Sequence, residues 1–566
     1  MDTRMTRDER EQQRVPPLIV LGWDAATWDL AARWVAEGKL PHLARLMQRG
    51  AWGTIRSTNP PVSPAAWSSI ITGKNPGGHG VYDWFARREG SYAVEYVHTG
   101  QIKARPVWEY FNRGGKRIGV FNLPMLYPAV PLDGFMFSGL AAPQAQAENF
   151  AYPPALISEL EEAIGPFRHA ERTVYRYGDE RAYLEDMLDL LDYQQRAVLY
   201  LMEHHPCDAY LFVLMQIDHA QHKFWRYLSP DYPGYDSARD GAFADAIEQV
   251  YRRMDALLGA VVDAVGEQAN YMVLSDHGGG PIYGVVHLNR WLHEMGWLHL
   301  RRDVRTRLKL WLARTDAIGR AYRLISRLGL GWVANLVSKP ARNKVVSSFL
   351  GFEDVDWSRT RAYARGAFGQ IFINLQGREP QGIVAPGEAY RSAVNELLAA
   401  LRSLRHPETG EPLATDICRK EEVFSGPFVD QAADVVFSLQ HYRYQTSVRM
   451  GVEQDSIIGP SEYQDSGGHR PEGILVMAGP DIEAGVRIDD AQVVDVLPTM
   501  LALADLPVPA DLDGRPLLNA LTGERRAAVR FVEAEAEVKA GEAAPVMSAA
   551  ERAELEKRLR DLGYLG

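Results

Sequence analysis

Unbroken apolar runs that end in polar residues punctuate this chain. The first, residues 17–22 (PLIVLG), is followed by Asp24 and by an amphipathic helical pattern that continues to about Gln48. The same grammar returns at 210–216 (YLFVLMQ), 271–275 (YMVLS) and 473–478 (GILVMA). A strand with one wet face alternates apolar and polar residues, whereas a strand covered on both faces is apolar throughout. These runs therefore predict strands of a parallel sheet. Helical patterns at 182–204, 240–265 and 388–404 supply the covering layers. The predicted fold class is α/β, a largely parallel central sheet sandwiched between helices.

Two segments break the pattern. Residues 297–352 form an amphipathic basic stretch, with Arg301, Arg302, Arg305, Arg307, Lys309, Arg314, Arg320, Arg323 and Arg327 set among Leu, Trp and Ile, and predict an inserted helical cap. From Gly523 the chain is rich in Ala and Glu and ends in a helical pattern at 548–560. The expected organisation is a disordered tail (1–14), a catalytic domain in two parts (15–296 and 353–522), the basic cap (297–352) and a C-terminal helical appendage (523–566).

With 46% hydrophobic and 24% charged residues over 566 positions, the chain has ample material for a core, and global disorder is excluded. A net charge of -11 argues against a nucleic acid polymer as partner, since that needs a cationic surface. Only Cys207 and Cys418 are present, so neither a disulfide framework nor a thiolate metal cluster is available. The polar first 14 residues lack the apolar stretch of a secretory signal, and no run reaches transmembrane length, which leads us to expect a cytoplasmic location. The basic cap, with Leu308, Leu310 and Trp311 among its cations, could lie on an anionic membrane surface or serve as a solvated lid.

In open α/β sheets ligands sit beyond the carboxyl ends of strands, so the residues after each apolar run matter most. Asp24 follows the first, Asp218 and His222 the second, and Asp276 and His277 the third. Asp218 and His222 are four apart, which on a helix puts both on one face, within reach of a single metal ion. Each has a plainer reading: Asp24 could cap the next helix, and the Asp–His pairs could be a turn or a solvated helix face. Their joint placement at strand ends favours two metal sites, with His469, just before the last apolar run, as a further imidazole. Ser63 precedes Pro64 and an apolar helical stretch. On local sequence it reads first as an N-cap, and compatibly as a nucleophile, because a helix N-terminus suits both a phosphate group and an alkoxide.

The order of motifs resembles the type I phosphodiesterase and nucleotide pyrophosphatase family of the alkaline phosphatase superfamily. It runs from GWDAA (Asp24) through VSPAAWSSIITGKNPGGHGV (Ser63), IDHAQH (Asp218, His222) and LSDHGGG (Asp276, His277) to GGHRPEG (His469). DVLPTMLALADLPVPADLDGRPL, residues 495–517, is similar to a core helix and loop of that superfamily. The resemblance implies that Asp24, Ser63, Asp276 and His277 bind one divalent ion and Asp218, His222 and His469 a second, usually zinc, with manganese or iron as alternatives. It implies ions about 4 Å apart and a phosphoryl intermediate on Ser63. The substrate would be a small-molecule or lipid phosphate ester, with Lys74, Asn75 and Arg470 as candidate contacts to it. Phosphomonoesterase and phosphonate hydrolase activities use similar ligands and stay open as alternatives, as does an inactive binding module, against which the intact ligand set speaks. A sulfatase would need an arginine where Trp67 stands. Oligomeric state is not legible.

Overall fold

The computed structural model describes residues 15–534 apart from 89, 141, 143–148, 315–349 and 448. Its central sheet has nine strands: β1 (Leu18–Trp23), β2 (Gly50–Arg56), β3 (Ile118–Leu123), β4 (Gly134–Ser138), β5 (Ala151–Tyr152), β6 (Ala209–Leu214), β7 (Asn270–Leu274), β8 (Glu472–Ala478) and β9 (Val486–Gln492). Across the sheet they run β9-β2-β8-β7-β1-β6-β3-β4-β5. β1, β3, β6 and β7 are buried at every position, the condition their unbroken apolar sequences meet. The predicted strands at 17–22, 210–216 and 271–275 are β1, β6 and β7, all mutually parallel.

The fourth apolar run, 473–478, is β8, and it runs antiparallel to both neighbours, β7 and β2. A strand buried on both faces reads the same in either direction, so its polarity left no trace in the pattern. β2 has no apolar run to announce it: its sequence GAWGTIR mixes Gly with Trp and Arg. The helical pattern extending to Gln48 is two helices, α1 (Trp28–Ala36) and α2 (Pro41–Arg49), because Gly38 turns left-handed (φ 73) and Pro41 opens a new N-terminus.

The remaining helices that matter to the site are α3 (Ser63–Thr72), α4 (Glu180–His204), α5 (Gln216–Leu228), α6 (Ala246–Val265), α7 (Val304–Arg314), α8 (Glu388–Ser403) and α9 (Val496–Leu503). All ten residues of α3 are buried, and it packs against α9, so the helix that begins with Ser63 is fixed on every side. The predicted helix at 240–265 starts later, at Ala246, after short turns at Ser237–Asp240 and Gly241–Phe243.

Residues 353–452, which the sequence reading groups with the catalytic domain, do not join the central sheet. Together with residues from Val286 onward they build a second hydrophobic core. A four-stranded antiparallel sheet (Ala362–Ala364, Gly369–Ile373, Val435–Leu439, Ala414–Arg419) with α8 packed on it forms this lobe. Helix α7 lies in the described part of the basic cap, residues 297–314 and 350–352; Lys309 anchors it through Asp354 (2.8 Å) and Glu353 (3.1 Å). Residues 315–349, with Arg320, Arg323 and Arg327, lie outside the described residues, as do 1–14 and the helical pattern at 548–560. The described part of the appendage, 523–534, pairs back onto the body, Phe531–Val532 lying parallel to Val508–Pro509. Among the described residues no helix is long and apolar enough to cross a membrane.

Candidate functional site

Ends of β1, β6 and β7 and the beginning of β8 meet at one edge of the sheet. Asp24 follows β1 directly, and the next residue, Ala25, takes a left-handed conformation (φ 61). That turn is held from both sides: the Ala25 amide donates to Asp276 Oδ1 (3.4 Å), and its carbonyl accepts from Gln221 Nε2 (2.7 Å). Asp276 and His277 follow β7. Asp218 and His222 project from adjacent turns of α5, His222 Nε2 lying 3.3 Å from Asp218 Oδ1. His469 arrives from the opposite direction. Because β8 is antiparallel, its start lies where the other strands finish, and Gly467–Arg470, just ahead of it, pairs with Gly278–Pro281 so that His469 faces Gly279. The chain leaving the carboxyl end of β2 leads into α3 and brings Ser63 to the same place.

All seven ligand candidates are at most 7% exposed, which makes this an enclosed site. Ser63 Oγ lies 3.1 Å from His277 Nε2, and His277 Nε2 lies 3.3 Å from Asp276 Oδ2 and 3.7 Å from Asp24 Oδ1. On the other side His469 Nε2 is 3.1 Å from His222 Nε2 and 3.4 Å from Asp218 Oδ1. Two groups come within 4.8 Å: Asp218, His222 and His469, and Asp24, Asp218 and His277. Asp218 thus stands between the two halves of the site, while Asp276 completes the second half through His277.

Ser63 is the first residue of its helix, not its cap. Val62 occupies the cap position and no side chain caps the helix, so the first turn points its amides and positive dipole end at the site. Lys74 and Asn75 do not reach it. They follow the far end of α3, about 15 Å along a ten-residue helix from Ser63. There Lys74 pairs with Asp511 (3.0 Å) and Asn75 binds Asp513 (2.7 Å) and Ser425 (2.9 Å). Arg470 is adjacent to the site, but its guanidinium is directed at the main-chain carbonyls of Tyr442 (2.7 Å), His469 (2.8 Å) and Pro281 (2.5 Å). It holds the ribbon that carries His469.

Three residues at the site escaped the sequence reading. Trp67 Nε1 donates to Asp24 Oδ2 (2.7 Å), and its spacing of four from Ser63 is the signal that places it on the same helical face. Asp465 lies 3.5 Å from His222 Nδ1, four residues ahead of His469 in the same loop. Phe368, from the second lobe, packs on the His469 ring with centroids 5.5 Å apart, and nothing in its local sequence points to that contact.

The sequence profile of the type I phosphodiesterase / nucleotide pyrophosphatase family matches residues 18–326, more than half of the 566. The chain belongs to this family. The sequence matches none of the curated proteins. Among solved structures it aligns with phosphonoacetate hydrolase from Sinorhizobium meliloti 1021 in complex with phosphonoacetate, at 16% identity and a TM-score of 0.48, over 86% of this chain and 94% of that one. It also aligns with human ectonucleotide pyrophosphatase / phosphodiesterase 5, at 12% identity and a TM-score of 0.47, over 90% of this chain and all (100%) of that one. As a type I phosphodiesterase the protein is a metal-dependent hydrolase of phosphate esters with the α/β sandwich of the alkaline phosphatase superfamily.

The residues present fit divalent cations. Asp24 Oδ1 and Asp276 Oδ2 are buried and accept no hydrogen bond from the protein. Burial first, then the charges of Asp276 and Asp218, push the Asp24 carboxyl well above its usual range; burial and Asp218 do the same to Asp276. A cation would reverse that field. In the other half, burial opposes ionisation of Asp218, but His222 and His469 outweigh it and hold the carboxyl well below its usual range. His222 is pushed up to about 10, since Asp218 and Asp465 overcome the effect of its burial. Imidazole tautomers add to this picture. His277 Nδ1 faces the Gly278 carbonyl (3.0 Å) and His469 Nδ1 the Pro61 carbonyl (2.8 Å). A carbonyl can only accept, so each Nδ1 carries the proton and each Nε2 presents a lone pair to the centre.

Proposed function

We propose that this protein cleaves small phosphodiesters by double displacement at Ser63, with one divalent ion held by Asp24, Ser63, Asp276 and His277 and another by Asp218, His222 and His469. The observation that carries this reading is the convergence of Ser63 Oγ and His277 Nε2, 3.1 Å apart, at the open N-terminus of α3. Bound ions would lower the pKa of the serine hydroxyl and offset negative charge on the phosphoryl oxygens. Ser63 Oγ then forms a bond to phosphorus as the bond to the leaving alcohol breaks. The first-turn amides of α3 orient the phosphoryl oxygens and complement their charge. Burial keeps His277 well below its usual pKa, so its imidazole is neutral and Nε2 can face the ion beside the Ser63 oxygen. Water next displaces the serine oxygen from phosphorus, releasing a monoester and restoring Ser63.

Zinc is the ion we assign. In a tetrahedral zinc site with bonds of about 2.0–2.1 Å, neighbouring ligand atoms sit roughly 3.3 Å apart. The three distances among Asp218, His222 and His469 are 3.3, 3.1 and 3.4 Å. A cytoplasmic location is the reading that suits two unpaired cysteines, Cys207 and Cys418.

The test is kinetic. The zinc-loaded protein is assayed on bis-p-nitrophenyl phosphate and on p-nitrophenyl phosphate, with Ser63→Ala as control. The diester is expected to be preferred and its turnover to fall at least a thousandfold, on the order of what removal of a nucleophile costs, in Ser63→Ala. Preference for the monoester would make the protein a phosphatase. Activity that survives Ser63→Ala would remove the proposed nucleophile.

A further inference from the structure

Each imidazole of the site turns Nε2 inward, and something behind it fixes the ring. For His277 and His469 the group behind is a backbone carbonyl. For His222 it is a carboxylate: Asp465 Oδ2 stands 3.5 Å from Nδ1, and the other oxygen, Oδ1, receives Lys223 Nζ at 2.6 Å. Both members of the Lys223–Asp465 pair are almost fully buried, at 3% and 6% exposure, where a lone charge would be costly and a paired one is retained.

The loop that carries Asp465 is docked tightly. The Ser466 amide donates to the His222 carbonyl (2.7 Å), and Ser466 Oγ accepts from the Arg226 amide (3.1 Å). Gly467 approaches the helix so closely that a Cβ there would meet the Gln221 carbonyl at 2.2 Å. Within six residues, this strap grips the turn of α5 that bears His222, sets a carboxylate behind the ring and delivers His469.

We propose that Asp465 is a positioning residue for the metal ion bound by Asp218, His222 and His469: it holds His222 in the Nδ1-protonated tautomer with Nε2 aimed at the ion, and Lys223 anchors the carboxylate behind the ring. A carboxylate behind a ligating imidazole fixes ring orientation and raises its basicity, and losing such a partner typically weakens metal affinity about 10–100-fold. The inference rests on the two-ion reading above, and a binding measurement separates the two.

The experiment titrates Zn2+ into the metal-free full chain, in competition with a chromogenic zinc chelator, for the wild type, Asp465→Asn and Asp465→Glu. Metal-free melting temperatures are measured alongside. The wild type is expected to take up two ions. In Asp465→Asn one ion keeps its affinity and the other binds about 10–100-fold more weakly, with a lowered metal-free melting temperature because Lys223 is left as a buried lone charge. Asp465→Glu, which keeps the charge, recovers part of the loss. Two ions at wild-type affinity in Asp465→Asn would overturn the inference. So would equal weakening of both ions, which marks a purely structural role. Fewer than two ions in the wild type would overturn the two-ion reading beneath it.

Discussion

His79 and His469 are both buried imidazoles, and the fold uses them in opposite ways. His469 turns its lone pair to the centre of the site. His79 accepts from the Val81 amide at Nδ1 (3.1 Å) and so donates from Nε2 to Ser69 Oγ (3.0 Å), which makes it a structural link inside the core. Burial lowers its pKa to about 3 from an ordinary 6.5. Between those values the folded state holds His79 neutral while the unfolded chain binds a proton, so its contribution to stability is full above pH 6.5 and is lost as the pH falls. Urea denaturation at pH 7 and pH 4.5 should show the wild type losing about 3 kcal/mol more than His79→Gln over that interval, at 1.36 kcal/mol per unit. Equal losses would contradict the assignment. At this scale the sequence was most informative where chemistry follows a strand: Asp24, Asp218, His222, Asp276 and His277 are all at the site. It was least informative where residues are near in sequence and far in space. Lys74 and Asn75 lie just past the helix that starts at Ser63, and the length of that helix carries them out of reach.

Among the elements, α3 and β1 are matched to each other. Helix α3 presents Ser63 from its first residue and Trp67 one turn later, and Trp67 fixes the carboxylate that ends β1. The indole fits because β1 has glycine opposite it: a Cβ at Gly22 would meet Trp67 Cη2 at 2.3 Å. Gly22→Ala should therefore displace Trp67 and release Asp24. We expect kcat/KM on the diester to fall at least tenfold, with a stability loss of roughly 1–3 kcal/mol from overpacking. Full activity in a destabilised Gly22→Ala protein would show that Trp67 does not position Asp24. The apolar runs announced β1, β6, β7 and β8 but not the direction of β8. That direction decides the site, since only an antiparallel β8 brings His469 to the edge where Asp24 and Asp276 lie. β2, which brings Ser63 there, is too rich in glycine for its pattern to stand out.

At the scale of the whole molecule, two hydrophobic cores share the work. The segments that leave or enter one edge of the nine-stranded sheet carry every ligand candidate, and the second lobe sends Phe368 and Tyr442 into the first core beside His469. Tyr442 Oη donates to Asn59 Oδ1 (3.2 Å), on the segment leading to Ser63, so this lobe braces Ser63 as well as His469. The sequence marked only the basic part of this lobe as an insertion; its strands are short and closely spaced, and their apolar residues resemble those of the main sheet. Two displacements at phosphorus are proposed for this assembled site: Ser63 replaces the leaving alcohol, and water then replaces Ser63. Each in-line displacement inverts the phosphorus centre. The most direct measurement is the stereochemical course of hydrolysis of a phosphorothioate diester of one configuration in 18O-labelled water. Two displacements through Ser63 predict net retention at phosphorus; net inversion would mean a single direct attack by water and would contradict the account.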